Sequence, residues 1–193
     1  MSDLLAIDKS RTALVVIDLQ KGIVQMPTEP HSPGIVVANA AKLAQAFRRN
    51  QMPVFLVRVT PSPDGKDILK PIADSKGPAM PPRGPEWGEI VAELGPEPSD
   101  FVITKRQWGA FHGTELDLQL RRRYIDTIVL CGISTNAGVE STARFAFEYG
   151  YQQLFAEDAS SARSREDHEH TMKSIFPRLG RVRTTKEILS ALE

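Results

Sequence analysis

This sequence has one cysteine, Cys131, among its 193 residues, so no intrachain disulfide can staple it. It has no surplus of charge: 24 Lys and Arg stand against 24 Asp and Glu. A net charge of zero offers no global field to draw in nucleic acid or an anionic membrane. The longest basic run, Arg121-Arg122-Arg123, ends an apparent helix, where cations meet the negative end of the dipole. No stretch approaches the ~20 apolar residues that a bilayer requires. The segment from Met1 to Thr12 carries no signal-peptide core, so a cytoplasmic location is the expectation. There is no internal repeat and no low-complexity tract. Histidine is scarce: His168 and His170 do not share a face of their predicted helix, and His31 and His112 stand isolated. All four read as solvated or locally bonded.

What is present is an ordinary globular composition, 41% hydrophobic and 25% charged, long enough for a single domain over residues 1–193 with a sizeable core. Strand-like and helix-like segments alternate. Ala13-Leu14-Val15-Val16-Ile17 is a continuous apolar run, the mark of a strand buried on both faces. Further strands are expected at 53–59, 101–103, 127–131 and 153–156, with a short sixth at 182–184. Helices are expected at 35–50, 114–123, 136–149, 165–175 and 186–192. Alternation of this kind predicts an α/β fold, a three-layer α/β/α sandwich on a mainly parallel six-stranded sheet.

The irregular part runs from Thr60 to Gly95 and holds seven of the fourteen prolines. An excursion of that length predicts a functional lid or wall, or an arm at a subunit interface. Arg58 from the second strand and Arg83 and Trp87 from this excursion are candidate wall residues.

Ligands of open parallel sheets bind beyond the carboxyl ends of the strands. That rule selects Asp18 after the first strand, Lys105 after the third, and the turn Gly132-Ile133-Ser134 after the fourth. A carboxylate directly behind five apolar residues must be paired, hydrogen-bonded or working, because unpaired burial is costly. Asp18 also reads as a strand-end cap and Lys105 as a snorkelling stem. At one sheet edge, the two would form a proton-transfer pair.

The segment Cys131-Gly132-Ile133-Ser134-Thr135-Asn136-Ala137-Gly138-Val139-Glu140-Ser141-Thr142-Ala143-Arg144 resembles the signature of the isochorismatase-like hydrolases, the cysteine hydrolase family. The resemblance extends to Val16-Ile17-Asp18-Leu19-Gln20, to Lys105 through Thr114, and to Ala156-Glu157-Asp158-Ala159. It implies an Asp–Lys–Cys triad with Asp18 and Lys105 in place, but the nucleophile position falls on Gly138. It also implies substrate contacts at Gln20, Trp108, Phe111, Ile133 and Ser134, a cis Ile133–Ser134 bond, a small-molecule substrate, and a homodimer or homotetramer.

Glycine cannot start acyl transfer. Cys131, seven residues earlier inside an apolar strand, reads as a small buried hydrophobe, and Ser134 and Thr135 are poor substitutes whose only nameable base is Asp18. True isochorismatases share the glycine and cleave a vinyl ether without a covalent intermediate, which makes Asp18 the general acid of a cysteine-independent hydrolase. The alternative is a catalytically retired member that binds a ligand or partner. A nearby Lys105 lowers the Asp18 pKa while burial raises it, and the sequence leaves that balance open. Placing Cys at Gly138, in the first turn of a helix, is expected to cost little stability unless the backbone angles there are special. Nicotinamidases of the family hold a metal through an Asp and histidines beyond the second strand. Residues 60–95 contain no histidine, so neither a metal nor a cofactor is expected.

Overall fold

The computed structural model describes residues 5–74 and 84–193; Arg83 lies outside them. Six strands run in chain order: β1 (Thr12–Ile17), β2 (Val54–Val59), β3 (Phe101–Lys105), β4 (Thr127–Ile133), β5 (Gln152–Ser161) and β6 (Arg181–Arg183). They form one sheet in the order β3-β2-β1-β4-β5-β6, and every pairing is parallel.

Parallel neighbours require crossovers, and every connection but that from β2 to β3 carries a helix among the described residues, with one more helix after β6. The helices are α1 (Lys21–Val24), α2 (Pro33–Arg49), α3 (Leu116–Arg122), α4 (Glu140–Glu148), α5 (Arg165–His170) and α6 (Thr185–Ser190). Two are joined to π-helical turns: Thr135–Val139 leads into α4, and Thr171–Ile175 continues α5.

β1 shows why the sheet is covered twice. All six of its residues are buried, and successive side chains point to opposite faces. Leu14 and Val16 join the core packed under α2 and α6, with Phe47 and Ile188. Ala13, Val15 and Ile17 join the other core, with Phe55, Phe155 and Phe176. Each fully buried Val, Leu or Ile contributes roughly 1.5–3 kcal/mol over its exposed state.

The sheet grows outward in both directions from β1. β2 and β3 follow on one side, and β4, β5 and β6 on the other. The strand order therefore reverses between β1 and β4, and the carboxyl ends of those two strands flank the crevice where ligands bind such sheets.

Local features aim those ends. Asp18 leaves β1 with φ 55, a left-handed conformation that Asp tolerates, while its N–H still donates to Val57 O at 2.9 Å. Gly132 has φ +129, and a β-carbon there would stand 2.0 Å from Ile17 O, so only glycine lets β4 press this closely on β1. The Ile133–Ser134 bond is cis.

β5 is longer than its hydrophobic signal, which ends at Ala156. The strand continues through Glu157, Asp158, Ser160 and Ser161 because tertiary partners satisfy those polar groups. Asp158 Oδ1 accepts from Thr185 N at 2.6 Å and from Thr185 Oγ1 at 2.7 Å, and Asn39 Nδ2 donates to Asp158 O at 2.8 Å.

Candidate active site

β1, β3 and the turn after β4 bring Asp18, Lys105 and Gly138 together. Asp18 Oδ2 lies 2.8 Å from Lys105 Nζ, and both side chains are buried. Lys105 reaches past β2 to do this, and Nζ also donates to Trp108 O. A β-carbon built on Gly138 would stand 3.0 Å from Asp18 Oδ2 and 3.2 Å from Lys105 Nζ. Any side chain at that position would project into the ion pair.

Burial raises the Asp18 pKa to about 6, and Lys105, which lowers it, offsets burial only in part. Desolvation therefore wins the balance left open by the sequence. Asp18 Oδ1 is also buried and takes no hydrogen bond of normal geometry. The Val59 N–H, which favours the carboxylate, donates its bond to Gln20 Oε1 at 2.8 Å. The Asp18 carboxyl is thus poised to exchange a proton near neutral pH.

The trio opens into a cleft of about 680 Å³. Trp108, Ser134 and Asn136 line it, as do Pro61, Leu69 and Trp87. The described part of the proline-rich excursion therefore contributes a wall of the cleft. Arg106 Nε binds Asp67 Oδ2 at 2.7 Å and ties that wall to the end of β3. Arg58 is not in the cleft; its Nε donates to Thr104 Oγ1 at 3.1 Å.

Three of the residues assigned to substrate contact do not reach the cleft with their side chains. Gln20 is wholly buried, and its Nε2 donates to Val59 O at 2.9 Å and Trp87 O at 3.1 Å. It joins the ends of β1 and β2 to the wall. Phe111 is buried against Tyr149 and Tyr151, with ring centroids 5.4 and 5.7 Å away. Ile133 belongs to the core under α2. An amide between two strand ends and an aromatic ring beside other rings gain more from packing than from facing water.

The substitute nucleophiles fare poorly. Cys131 is fully buried, and desolvation pushes its thiol up to about 12. Thr135 has no exposed surface. Its hydroxyl lies 2.9 Å from His168 Nδ1, while His168 Nε2 lies 3.2 Å from Glu157 Oε1. A Thr-His-Glu chain looks like a nucleophile with its base, but a hydroxyl closed to solvent meets no substrate. Ser134 lines the cleft, but its hydroxyl is engaged, donating to Asn136 Oδ1 at 2.8 Å.

Two features escaped sequence reading. His31 is not isolated: its Nε2 lies 2.9 Å from the same Glu157 Oε1 that His168 approaches. Arg163 lines the cleft, exposed, with Met26 Sδ at 2.8 Å as its only partner among the described residues. A lone Arg after an Asp-Ala-Ser-Ser-Ala run carries no signal that it faces a cleft.

The isochorismatase domain model matches residues 12–187. The uncharacterized isochorismatase family protein YwoC of Bacillus subtilis (strain 168) is 53% identical, with 100% of both chains covered. A probable isochorismatase of Pseudomonas chlororaphis is 30% identical over 95% of this chain and 87% of its own. The structure of an isochorismatase family protein from Burkholderia thailandensis superposes with TM-score 0.92 at 47% identity, covering 98% of this chain and 99% of that one.

Proposed function

Because the chain belongs to the isochorismatase family of hydrolases, we propose that it cleaves a small anionic vinyl ether without a covalent intermediate, with Asp18 as the general acid. The observation that carries this reading is the neighbourhood of Asp18: a carboxyl raised to about 6 stands beside a glycine at the position matching the family nucleophile. A thiolate triad needs a base and a sulfur there. This site keeps the carboxyl and the lysine and has a glycine, with no side chain, at the position of the sulfur.

The steps follow from the geometry. Protonated Asp18 gives its proton to the terminal vinyl carbon, the double-bond pair forms the new C–H bond, and an oxygen-stabilised cation results. The buried carboxylate left behind is held by Lys105 at 2.8 Å. Water adds to the cationic carbon, a proton returns to Asp18, and the hemiketal expels the alcohol as its C–O bond breaks. Only the charge-separated state gains fully from Lys105, which is the differential stabilisation catalysis requires.

Arg163 supports the anionic part of the substrate class. An exposed guanidinium in the cleft without a carboxylate partner is a ready fork for one. The test is a turnover screen of isochorismate, simpler vinyl-ether carboxylates and simple amides, on the wild type and Asp18→Asn. Vinyl-ether cleavage lost in Asp18→Asn supports the proposal. Amide turnover, or vinyl-ether turnover that survives in the variant, overturns it. Saturable binding of these compounds without any turnover moves the assignment to the non-catalytic ligand-binding alternative.

A further inference from the structure

We propose that His31, Glu157 and His168 form a site for one divalent transition-metal ion, of the zinc type, separate from the Asp18 cleft. Three parts of the chain converge there: the loop before α2, the polar half of β5, and α5. One ligand atom from each lies within 4.8 Å of the others, a grouping that includes a carboxylate and two imidazoles.

The distances suit an ion. Glu157 Oε1 lies 2.9 Å from His31 Nε2 and 3.2 Å from His168 Nε2. Two bonds of ~2.0–2.1 Å meeting at roughly 90–105° span such gaps. The rings stand edge to face, with centroids 5.6 Å apart and planes at 85°, so they do not stack. Both turn a nitrogen edge to the same carboxylate oxygen.

The surroundings fix the ligands. His168 is buried, and its Nδ1 is held by the buried Thr135 hydroxyl at 2.9 Å. With Nδ1–H donating to Thr135, the Nε2 lone pair is free for a metal, the outer-shell bond that orients most metal-bound histidines. The backbone of His31 is anchored on both sides: its N–H donates to Ser161 Oγ at 3.3 Å, and Thr28 Oγ1 donates to its carbonyl at 2.7 Å. The His31 and Glu157 side chains keep 23% and 33% of their surface, enough for an ion to enter and hold water in a fourth position.

Two imidazoles and one carboxylate favour Zn²⁺, Co²⁺, Ni²⁺ or Cu²⁺ over Mg²⁺ and Ca²⁺, which prefer oxygen alone. None of the three residues lines the Asp18 cleft. The ion's role is therefore a clamp. It joins the segment carrying Met26, the strand before Arg163 and the helix carrying Asp167, all of which contribute to one side of the cleft. The proposal is independent of the reaction catalysed.

The test uses the full chain, free of any affinity tag and stripped with a chelator. Zn²⁺ is titrated by calorimetry and Co²⁺ by visible absorption. One Zn²⁺ per chain and an intense four- or five-coordinate Co²⁺ spectrum are expected. His31→Ala and Glu157→Gln are each expected to weaken binding more than ~100-fold, and Thr135→Val by ~10–100-fold through the loosened ring. His112→Ala leaves binding unchanged. On the wild type alone, Zn²⁺ is expected to protect His31 from diethyl pyrocarbonate, which keeps the proposal testable if a variant misfolds. Absence of binding at micromolar Zn²⁺, binding that survives His31→Ala, or a weak six-coordinate Co²⁺ spectrum overturns the site.

Discussion

Gly138 faces Asp18 so closely that a β-carbon on the glycine would stand 3.0 Å from Asp18 Oδ2. The same carbon would meet Ile17 Cγ2 at 3.1 Å and Lys105 Nζ at 3.2 Å. The expectation that a side chain here costs little is therefore corrected: three buried neighbours must each give way.

Gly138→Cys is expected to fold with a loss of about 1–3 kcal/mol, the usual range for overpacking. Its new thiol sits beside the Lys105 ammonium, which favours the thiolate and lowers its pKa below the free value of ~8.5. Cys131, pushed up to about 12 by burial, is the internal reference. Iodoacetamide at pH 7.5 is expected to label the introduced thiol first, at a rate that drops when Lys105 is also replaced. Equal labelling of the two thiols would show that Lys105 does not act on this position.

The pH profile follows from the direction of the Asp18 shift. In the proposed mechanism the acid form is the active one; burial raises its pKa to about 6, so deprotonation is expected to remove activity. The kcat/KM for vinyl-ether cleavage is expected to hold through pH 5 and fall about tenfold per pH unit well above pH 6. Asp18→Asn is expected to lose roughly 10²- to 10⁴-fold. Activity that rises from pH 5 to 8 would assign the proton transfer to another group.

Lys105→Met moves the same limb in a known direction. Lys105 lowers the Asp18 pKa, so its removal raises that pKa further and carries the descending limb to higher pH, while kcat falls. Stability changes with it. In the variant the folded state binds the Asp18 proton more tightly than the unfolded chain. That contribution is complete below the unfolded pKa of ~3.9 and disappears as pH rises through the raised folded value. Urea midpoints are expected to fall further behind wild type at pH 8 than at pH 5. A gap that is the same at both pH values would mean that Lys105 does not set the Asp18 pKa.

Arg163→Ala separates binding from chemistry. The side chain is exposed, so stability is expected to stay within about 0.5 kcal/mol of wild type. KM for a carboxylate substrate is expected to rise roughly 10- to 100-fold, the worth of one or two charged hydrogen bonds. KM for an uncharged analogue and the position of the pH limb stay put. Equal effects on charged and uncharged substrates would remove Arg163 from substrate recognition.

Much of the fold was legible because burial on both faces leaves a local mark. The run Ala13 to Ile17 needs no partner to be recognised as a central strand, and the other five strands of the sheet are set off by helices everywhere except between β2 and β3. Asp18, Lys105 and Gly138 were legible for a related reason: each stands at the carboxyl end of a strand or just beyond it, and strand ends of a parallel sheet converge on one edge. Chain order and side-chain type determined that much.

The tertiary structure decided what depends on distances between remote segments. Gln20 and Phe111 turned inward because strand ends and rings from elsewhere satisfy them better than a cleft does. β5 ran past its apolar half because Thr185 and Asn39 arrive to meet Asp158. His31 and His168 met on one carboxylate oxygen although nothing in their spacing relates them. The protonation of Asp18 was decided in the same way, since desolvation is summed over every atom packed around the carboxyl. Those atoms come from parts of the chain far apart in sequence, and only folding sets how closely they surround it.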